Sequence, residues 1–275
     1  MKVFVIGSTG MLGKYVSTYL KDYYDVVEIS RSDIDASLIK EDELRSKFIH
    51  LKIKDGDVVI NCAGTIKPRV DQLGDLNAIL VNSVFPRLLA NVCEYYNVKM
   101  IHPTTDCVYS GNKGSYSEND NYDVHDVYGM SKALGEPKNC TVIRTSIIGE
   151  EVNQGRSLIE WVKSEKNRTV FGFTNHFWNG VTCLEFAKIC KKMIDGNLFW
   201  SGTKHLHSNT LNKKELVELI SFSFNLNVTV VEKETEKKCD RSMSTIYNDI
   251  IKFEIPSLEI QLKELKDFSK KLYKN

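Results

Sequence analysis

The chain has 275 residues, 42% of them hydrophobic and 27% charged, and its 37 Lys and Arg against 36 Asp and Glu leave a formal charge of +1. That length suits one large α/β domain or two smaller ones, with ample apolar material for a core. A charge so close to zero sets up no field for nucleic acid or an anionic membrane surface, so neither is expected as a partner.

The chain opens "MKVFVIGSTG", where the apolar run from Val3 to Ile6 is too short for a signal peptide or a membrane span, and no later segment is expected to be apolar for long enough. "KVFVIG" reads as a buried strand and "GMLGKYVSTYLKD" as a helix; "DVVEIS" and "KEDELRSKFIHL" repeat the pair, and "GDVVINCAG" is a third strand. A long helix is predicted from Leu76 to Tyr96, then a strand in "VKMIHPTTD" and another in "CTVIRTS". This alternation predicts a Rossmann-type doubly wound parallel sheet. We expect a dinucleotide-binding domain over residues 1–150 and a smaller substrate lobe over 151–275, partly interleaved through a returning strand near 203–208. In the lobe, "VTCLEFAKICKKMIDGN" reads as a helix capped by Thr182 with Glu185 closing a capping box, and Asn212 caps the next. "KETEKK" reads as a solvated loop and the Lys-rich end as a surface helix. The seven cysteines form no Cys-x-x-Cys pair and read as free thiols in a reducing cytoplasm; no Cys or His spacing supports a metal, and His205 and His207 alternate as one core and one surface residue.

"GSTGMLG" places Gly7, Gly10 and Gly13 between the first strand and the first helix. Gly7 permits the tight turn, Gly10 lets a pyrophosphate reach the backbone, and Gly13 lets helix and strand pack closely, with Thr9, Met11 and Leu12 completing the loop. At the end of the second strand, Ser30 and Arg31 stand where a carboxylate would favour NAD. An arginine pairs with a 2′-phosphate, so NADPH is the expected cofactor, with NADH the alternative. Cys62, Ala63 and Gly64 at the end of the third strand are placed on the same cofactor side, as are Lys67 and Arg69, which bind phosphate or are simply solvated.

In "VYGMSKALGE", Tyr128 and Lys132 are four residues apart and share a helix face. The fourth strand delivers Thr104, Thr105 and Asp106 to the same rim. Ketone reduction needs a proton donor, and bringing a phenol of pKa about 10 close to neutrality takes about 4 kcal/mol, part of which a neighbouring ammonium supplies. Thr105 is placed to hydrogen-bond the carbonyl.

Taken together, "GSTGMLG", "DVVINCAG", "VNSVFP", "TTDCVYSG", "VYGMSKALGE" and "IRTSIIG" resemble the extended short-chain dehydrogenase/reductases, and among them the dTDP-4-dehydrorhamnose reductase family. The resemblance spans nearly the whole chain and is weaker after residue 150. It implies a catalytic set of Thr105, Tyr128 and Lys132 and a nucleotide-linked 4-keto-6-deoxy sugar as substrate, feeding polysaccharide assembly. Asn82 and Arg144 match recurrent family positions of structural or chemical role, and Asn82 is expected among the cofactor contacts. The alternatives are a non-catalytic NADP-binding subunit resembling the methionine adenosyltransferase beta subunit, or an epimerase. Cys107 departs from the family's tyrosine and from the glutamate of sugar-nucleotide dehydratases, which disfavours dehydration. "GFTNHFWNGVT" also departs; Asn175 and Trp178 are its candidate substrate contacts, with packing between lobes the competing reading, and Arg156 is a candidate for the substrate pyrophosphate. A homodimer is expected.

Overall fold

The computed structural model describes residues 1–151 and 157–272. The first half runs β1 (Lys2–Ile6), α1 (Met11–Leu20), β2 (Asp25–Ile29), α2 (Glu41–His50), β3 (Val58–Asn61), α3 (Lys67–Leu73), α4 (Asp75–Ile79), a π-helical turn Leu80–Val84, α5 (Phe85–Tyr95), β4 (Lys99–Thr104), α6 (Val127–Leu134) and β5 (Thr141–Arg144). The second runs β6 (Ile147–Ile148), α7 (Leu158–Ser164), β7 (Thr169–Phe173), β8 (His176–Trp178), β9 (Val181–Thr182), α8 (Cys183–Asp195), β10 (Gly202–His205), β11 (Leu211–Asn212), α9 (Lys213–Phe224), β12 (Thr229–Lys233), β13 (Cys239–Asp240) and α10 (Leu258–Leu272).

Six strands form one sheet in the order β10-β5-β4-β3-β1-β2, and every pairing in it is parallel. The fold class is that of the sequence reading. Because side chains alternate across a strand, Val3 and Val5 face a core shared with Val16 and Leu20 of α1 and Phe186, Ile189 and Met193 of α8. Phe4 and Ile6 face the other way, onto Leu44 and Phe48 of α2 and Leu89 and Val92 of α5. Both faces are covered, as a parallel sheet requires. The strand order reverses beside β1, and a ligand crevice opens at the carboxyl ends of the strands at such a point.

A third core holds the later elements together, with Trp178, Leu184, Leu216, Ile220, Leu258, Leu262 and Leu265. Here β11, β8 and β13 form a small sheet, while β12 pairs with β7. The returning strand is Gly202–His205, in register with Thr141–Arg144.

Three details differ from expectation. The long helix begins at Asp75 and widens at Leu80–Val84, where the Phe85 N–H reaches back to the Leu80 carbonyl. Pro86 follows and has no N–H to return to the preceding turn, which accounts for the slackened winding at that point. The whole stretch Asp75–Tyr95 is, against expectation, long and apolar enough by composition to span a membrane, but half of it is buried inside the fold. At α8, the Thr182 hydroxyl accepts from the Glu185 N–H at 3.2 Å as expected. The Thr182 N–H, however, is taken by Gln261 Oε1 of α10 at 2.9 Å rather than by Glu185. The capping box is therefore closed from another helix.

Candidate functional site

The turn after β1 is built on close approach. Gly7 has φ +76°, and a Cβ there would sit 2.7 Å from the Ala63 nitrogen. A Cβ on Gly13 would lie 2.1 Å from the Gly7 carbonyl oxygen, so only glycine lets α1 dock on the turn. Gly10 differs, since its Cβ would meet nothing nearer than 3.4 Å. Gly10 is the N-cap of α1, with no side-chain cap and no acidic residue in the first turn. The N–H groups at the start of this ten-residue helix, including those of Met11 and Leu12, are thereby left for an anion.

A cavity of about 490 Å³ runs past this loop, lined by Ser8, Thr9, Gly10, Met11, Lys14, Ser30 and Arg69 among others. A second, of about 280 Å³, continues along Gly7, Arg31, Cys62, Ala63 and Gly64. Thr9, Gly10 and Arg69 line both. This bare glycine cradle, an uncapped helix start and a continuous groove fit a dinucleotide. At the adenosine end, Ser30 gives both its N–H and its hydroxyl to Asp33, at 2.9 and 2.6 Å. Arg31 is 65% exposed and pairs through Nε with Asp35 at 3.0 Å, which leaves the outer guanidinium nitrogens toward solvent. Lys67, expected near the cofactor, instead pairs with Asp126, the N-cap of α6, at 2.9 Å.

Lys132 lies over the end of β3: a Cβ on Gly64 would come within 2.8 Å of its Nζ. Asn82, in the π-helical turn, fixes this corner. Its Oδ1 accepts from the Thr65 N–H at 2.8 Å, and its Nδ2 donates to the Thr65 carbonyl at 2.9 Å and to Ser131 Oγ at 3.1 Å. Its amide is used up by the fold, so Asn82 serves as a lock between the third strand's loop and α6. Burial lowers the Lys132 pKa to about 8, against the pull of Glu136.

Thr105 is buried at the end of β4. Its hydroxyl accepts from the Cys107 N–H at 3.1 Å and donates to Asp106 Oδ1 at 3.1 Å. Tyr128 is half-buried beside it. Burial raises the phenol well above its ordinary value, the Cys107 thiol adds to this, and a hydrogen bond with Thr105 opposes it. Thr104 is buried with its hydroxyl unpaired among the described residues, so the expected substrate contact is not exposed at the rim. Burial pushes the Cys107 thiol up to about 12, and it stays neutral at physiological pH.

Beneath Lys132 lies a buried network. Arg144 pairs with Glu136 at 2.5 Å, both side chains 3% exposed. Arg144 also donates to Tyr109 OH at 2.6 Å and to Tyr122 OH at 3.0 Å, and Glu136 accepts from Thr203 at 3.2 Å. The sequence singled out Arg144 but not Glu136, whose partners Tyr122, Arg144 and Thr203 come from three separate segments.

On the other wall, the expectations for the 172–182 segment change. Asn175 spends its amide on Thr235, donating to its carbonyl at 2.7 Å and accepting its N–H at 3.2 Å. Trp178 is 4% exposed and one ring face is covered by Lys213, 5.5 Å from the centroid. The reading of these two as substrate contacts gives way to packing between segments. Arg156 lies outside the described residues.

Residues 1–174 match the family described as RmlD substrate binding domain. Over 151 residues the chain is 29% identical to the dTDP-4-keto-6-deoxy-D-glucose reductase of Streptomyces niveus, covering 52% of this chain and 51% of that protein; the match thus spans about half that relative's length. It is 28% identical over 221 residues to the dTDP-4-dehydrorhamnose reductase of Aggregatibacter actinomycetemcomitans, covering 74% and 72%. The structure of dTDP-4-dehydrorhamnose reductase from Bacillus anthracis in complex with NADP superposes with a TM-score of 0.79 at 20% identity, covering 97% of this chain and 98% of that one.

Proposed function

The chain belongs to the RmlD substrate binding domain family, that of the dTDP-4-dehydrorhamnose reductases, and from that premise we propose that it is an NADPH-dependent reductase of the C4 keto group of a nucleotide-linked 4-keto-6-deoxy sugar. The observation that carries this reading is the hydrogen bond between Tyr128 and Thr105 at the carboxyl rim of the sheet, with Lys132 of the same helix lying over Gly64 at the end of β3. NADPH, when bound along Gly7–Gly13 and Ser30–Arg31, supplies the hydride.

In this reading Tyr128 gives its phenolic proton to the carbonyl oxygen, and its raised pKa keeps that proton in place at neutral pH. Thr105, its oxygen pinned by the Cys107 N–H, turns its hydroxyl from Asp106 to the carbonyl and holds it in line. Lys132 stabilises the phenolate left behind and binds the cofactor ribose. A neutral Cys107 in place of a carboxylate argues against dehydration. We assign residues 1–150 to the cofactor and 151–275 mainly to the substrate, in a cytoplasmic enzyme of polysaccharide or glycan synthesis with no nucleic-acid or membrane partner. What supports a homodimer in this reading is the apolar face of the neighbouring helices α3, α4 and α6, where Leu73, Leu76, Ile79, Met130 and Leu134 are exposed. Leu76→Glu combined with Leu134→Glu should then give a monomer by sedimentation.

The test is NADPH oxidation with dTDP- and UDP-4-keto-6-deoxy sugars by the wild type and Tyr128→Phe. A loss of turnover of about 10²- to 10⁴-fold in the variant, with NADPH still bound, is expected. Tight NADPH binding without turnover of any keto sugar by the wild type would overturn the reductase and point to the regulatory subunit.

A further inference from the structure

The returning strand β10 ends on His205, which is fully buried and whose two ring nitrogens have opposite partners. Nε2 lies 2.7 Å from a terminal nitrogen of Arg144, which can only donate, so Nε2 accepts. Nδ1 lies 2.7 Å from the Ser244 carbonyl and 3.1 Å from that of Tyr116, which can only accept, so Nδ1 carries the proton. These partners fix one neutral tautomer. Burial and the Arg144 charge lower the imidazole pKa to about 4, against the pull of Glu118, the Ser244 carbonyl and Glu136, so the ring stays neutral at physiological pH.

The two sides of the ring lead to two parts of the candidate site. Through Arg144 and its partner Glu136 the contacts reach the end of α6, four residues past Lys132. Through Ser244 they reach a loop over residues 241–247. That loop starts against the stretch that follows Thr105: Arg241 Nε donates to the Tyr109 carbonyl at 2.9 Å, and a terminal nitrogen stands 3.8 Å from Cys107 Sγ, the thiol that acts on Tyr128. Ser242 and Met243 are buried, but none of residues 244–249 is. With no apolar anchor there, hydrogen bonds and charge decide where the loop lies. His205 takes the Ser244 carbonyl. Glu118 accepts from the Thr245 hydroxyl at 2.6 Å, the Ile246 N–H at 3.0 Å and the N–H of His205 itself at 2.7 Å. Lys204, next to His205 on β10, pairs with Asp249 at 2.5 Å and stands 4.6 Å from the centroid of the Tyr247 ring.

We propose that His205 is a positioning residue for the reduction: it joins the end of the helix that carries Tyr128 and Lys132 to the 241–247 loop, and so sets the width of the cleft at Tyr128. The inference rests on the reductase reading above and adds to it a residue that touches neither cofactor nor reacting atoms. Its Nδ1–H holds the loop, and its Nε2 ties that hold to Arg144 and Glu136.

Substitution can separate the two nitrogens. His205→Asn puts an amide nitrogen where Nδ1 stands and keeps the donation to Ser244. His205→Gln puts an amide oxygen near the place of Nε2 and keeps an acceptor for Arg144, but drops the loop. The full chain and both variants, saturated with NADPH, are compared by amide hydrogen exchange over residues 241–247 and by kcat and KM for dTDP- and UDP-4-keto-6-deoxy sugars. His205→Gln should speed exchange in the loop and raise KM, each by about tenfold, with kcat within about threefold and NADPH affinity unchanged. His205→Asn should stay within about threefold of the wild type in both. If His205→Gln keeps the exchange and KM of the wild type, the positioning role is wrong while the reductase reading stands. If His205→Asn raises KM as much as His205→Gln, the ring only fills space. Should His205→Gln not fold, Thr245→Val frees the same loop from Glu118 without touching the core, and an unchanged KM in it would overturn the proposal. A wild type that binds NADPH and turns over no keto sugar overturns the reductase reading, and the role given to His205 with it.

Discussion

Burial favours the neutral form of both Tyr128 and Lys132, and so moves them in opposite directions on the pH scale. The phenol keeps its proton throughout the neutral range, whereas the ammonium, at about 8, begins to lose its own just above it. Lys132 is charged below that value and neutral above it, so kcat/KM should be level near pH 7 and fall on an alkaline limb centred near 8. An alkaline limb starting only near the ordinary lysine range would show that the lysine is not desolvated in this way. The buried pair below is a different case. Removing one partner leaves an uncompensated charge, so Glu136→Gln or Arg144→Met should each cost about 3–5 kcal/mol in urea unfolding. The double variant should cost less than their sum. The places of Thr105, Tyr128 and Lys132 at the end of the fourth strand and on one helix were legible because each sits in a short local motif. The partners of Asn175 and Trp178 were not, because what each side chain meets is set by segments far apart in the chain.

At the scale of the element, the glycine loop separates two kinds of requirement. Gly13→Ala puts a methyl group against the Gly7 carbonyl and should cost about 1–3 kcal/mol of stability as α1 is pushed off the turn. Gly10→Ala has room within the protein, so its melting temperature should hold while NADPH affinity falls. A titration and a thermal melt of the two variants check this; equal loss of stability in both would refute the distinction. Caps were readable where donor and acceptor lie within four residues, as at Asn212, whose box with Glu215 is complete. The box at Thr182 was misread because Gln261, far along the chain, competes for the same N–H. The π-helical turn left no periodic signal, since one widened turn hardly disturbs the spacing of apolar residues on either side.

At the scale of the molecule, strict alternation of strand and helix made the parallel sheet legible, whereas the boundary between the halves is blurred by the way the cores are shared. Phe186, Ile189 and Met193 of α8 fill the same core as Val3 and Val5 of β1. A fragment ending at residue 174 should therefore expose that face, give poorly dispersed amide resonances and bind NADPH weakly; a well-folded fragment with full affinity would show that the first half stands alone. The returning strand has a consequence for how the chain is made. Until Gly202–His205 leave the ribosome, β5 is an open edge offering its backbone groups to any extended neighbour. The last seat in the sheet is filled late in synthesis, and the growing chain passes through a stage in which pairing with a stranger competes with pairing with itself.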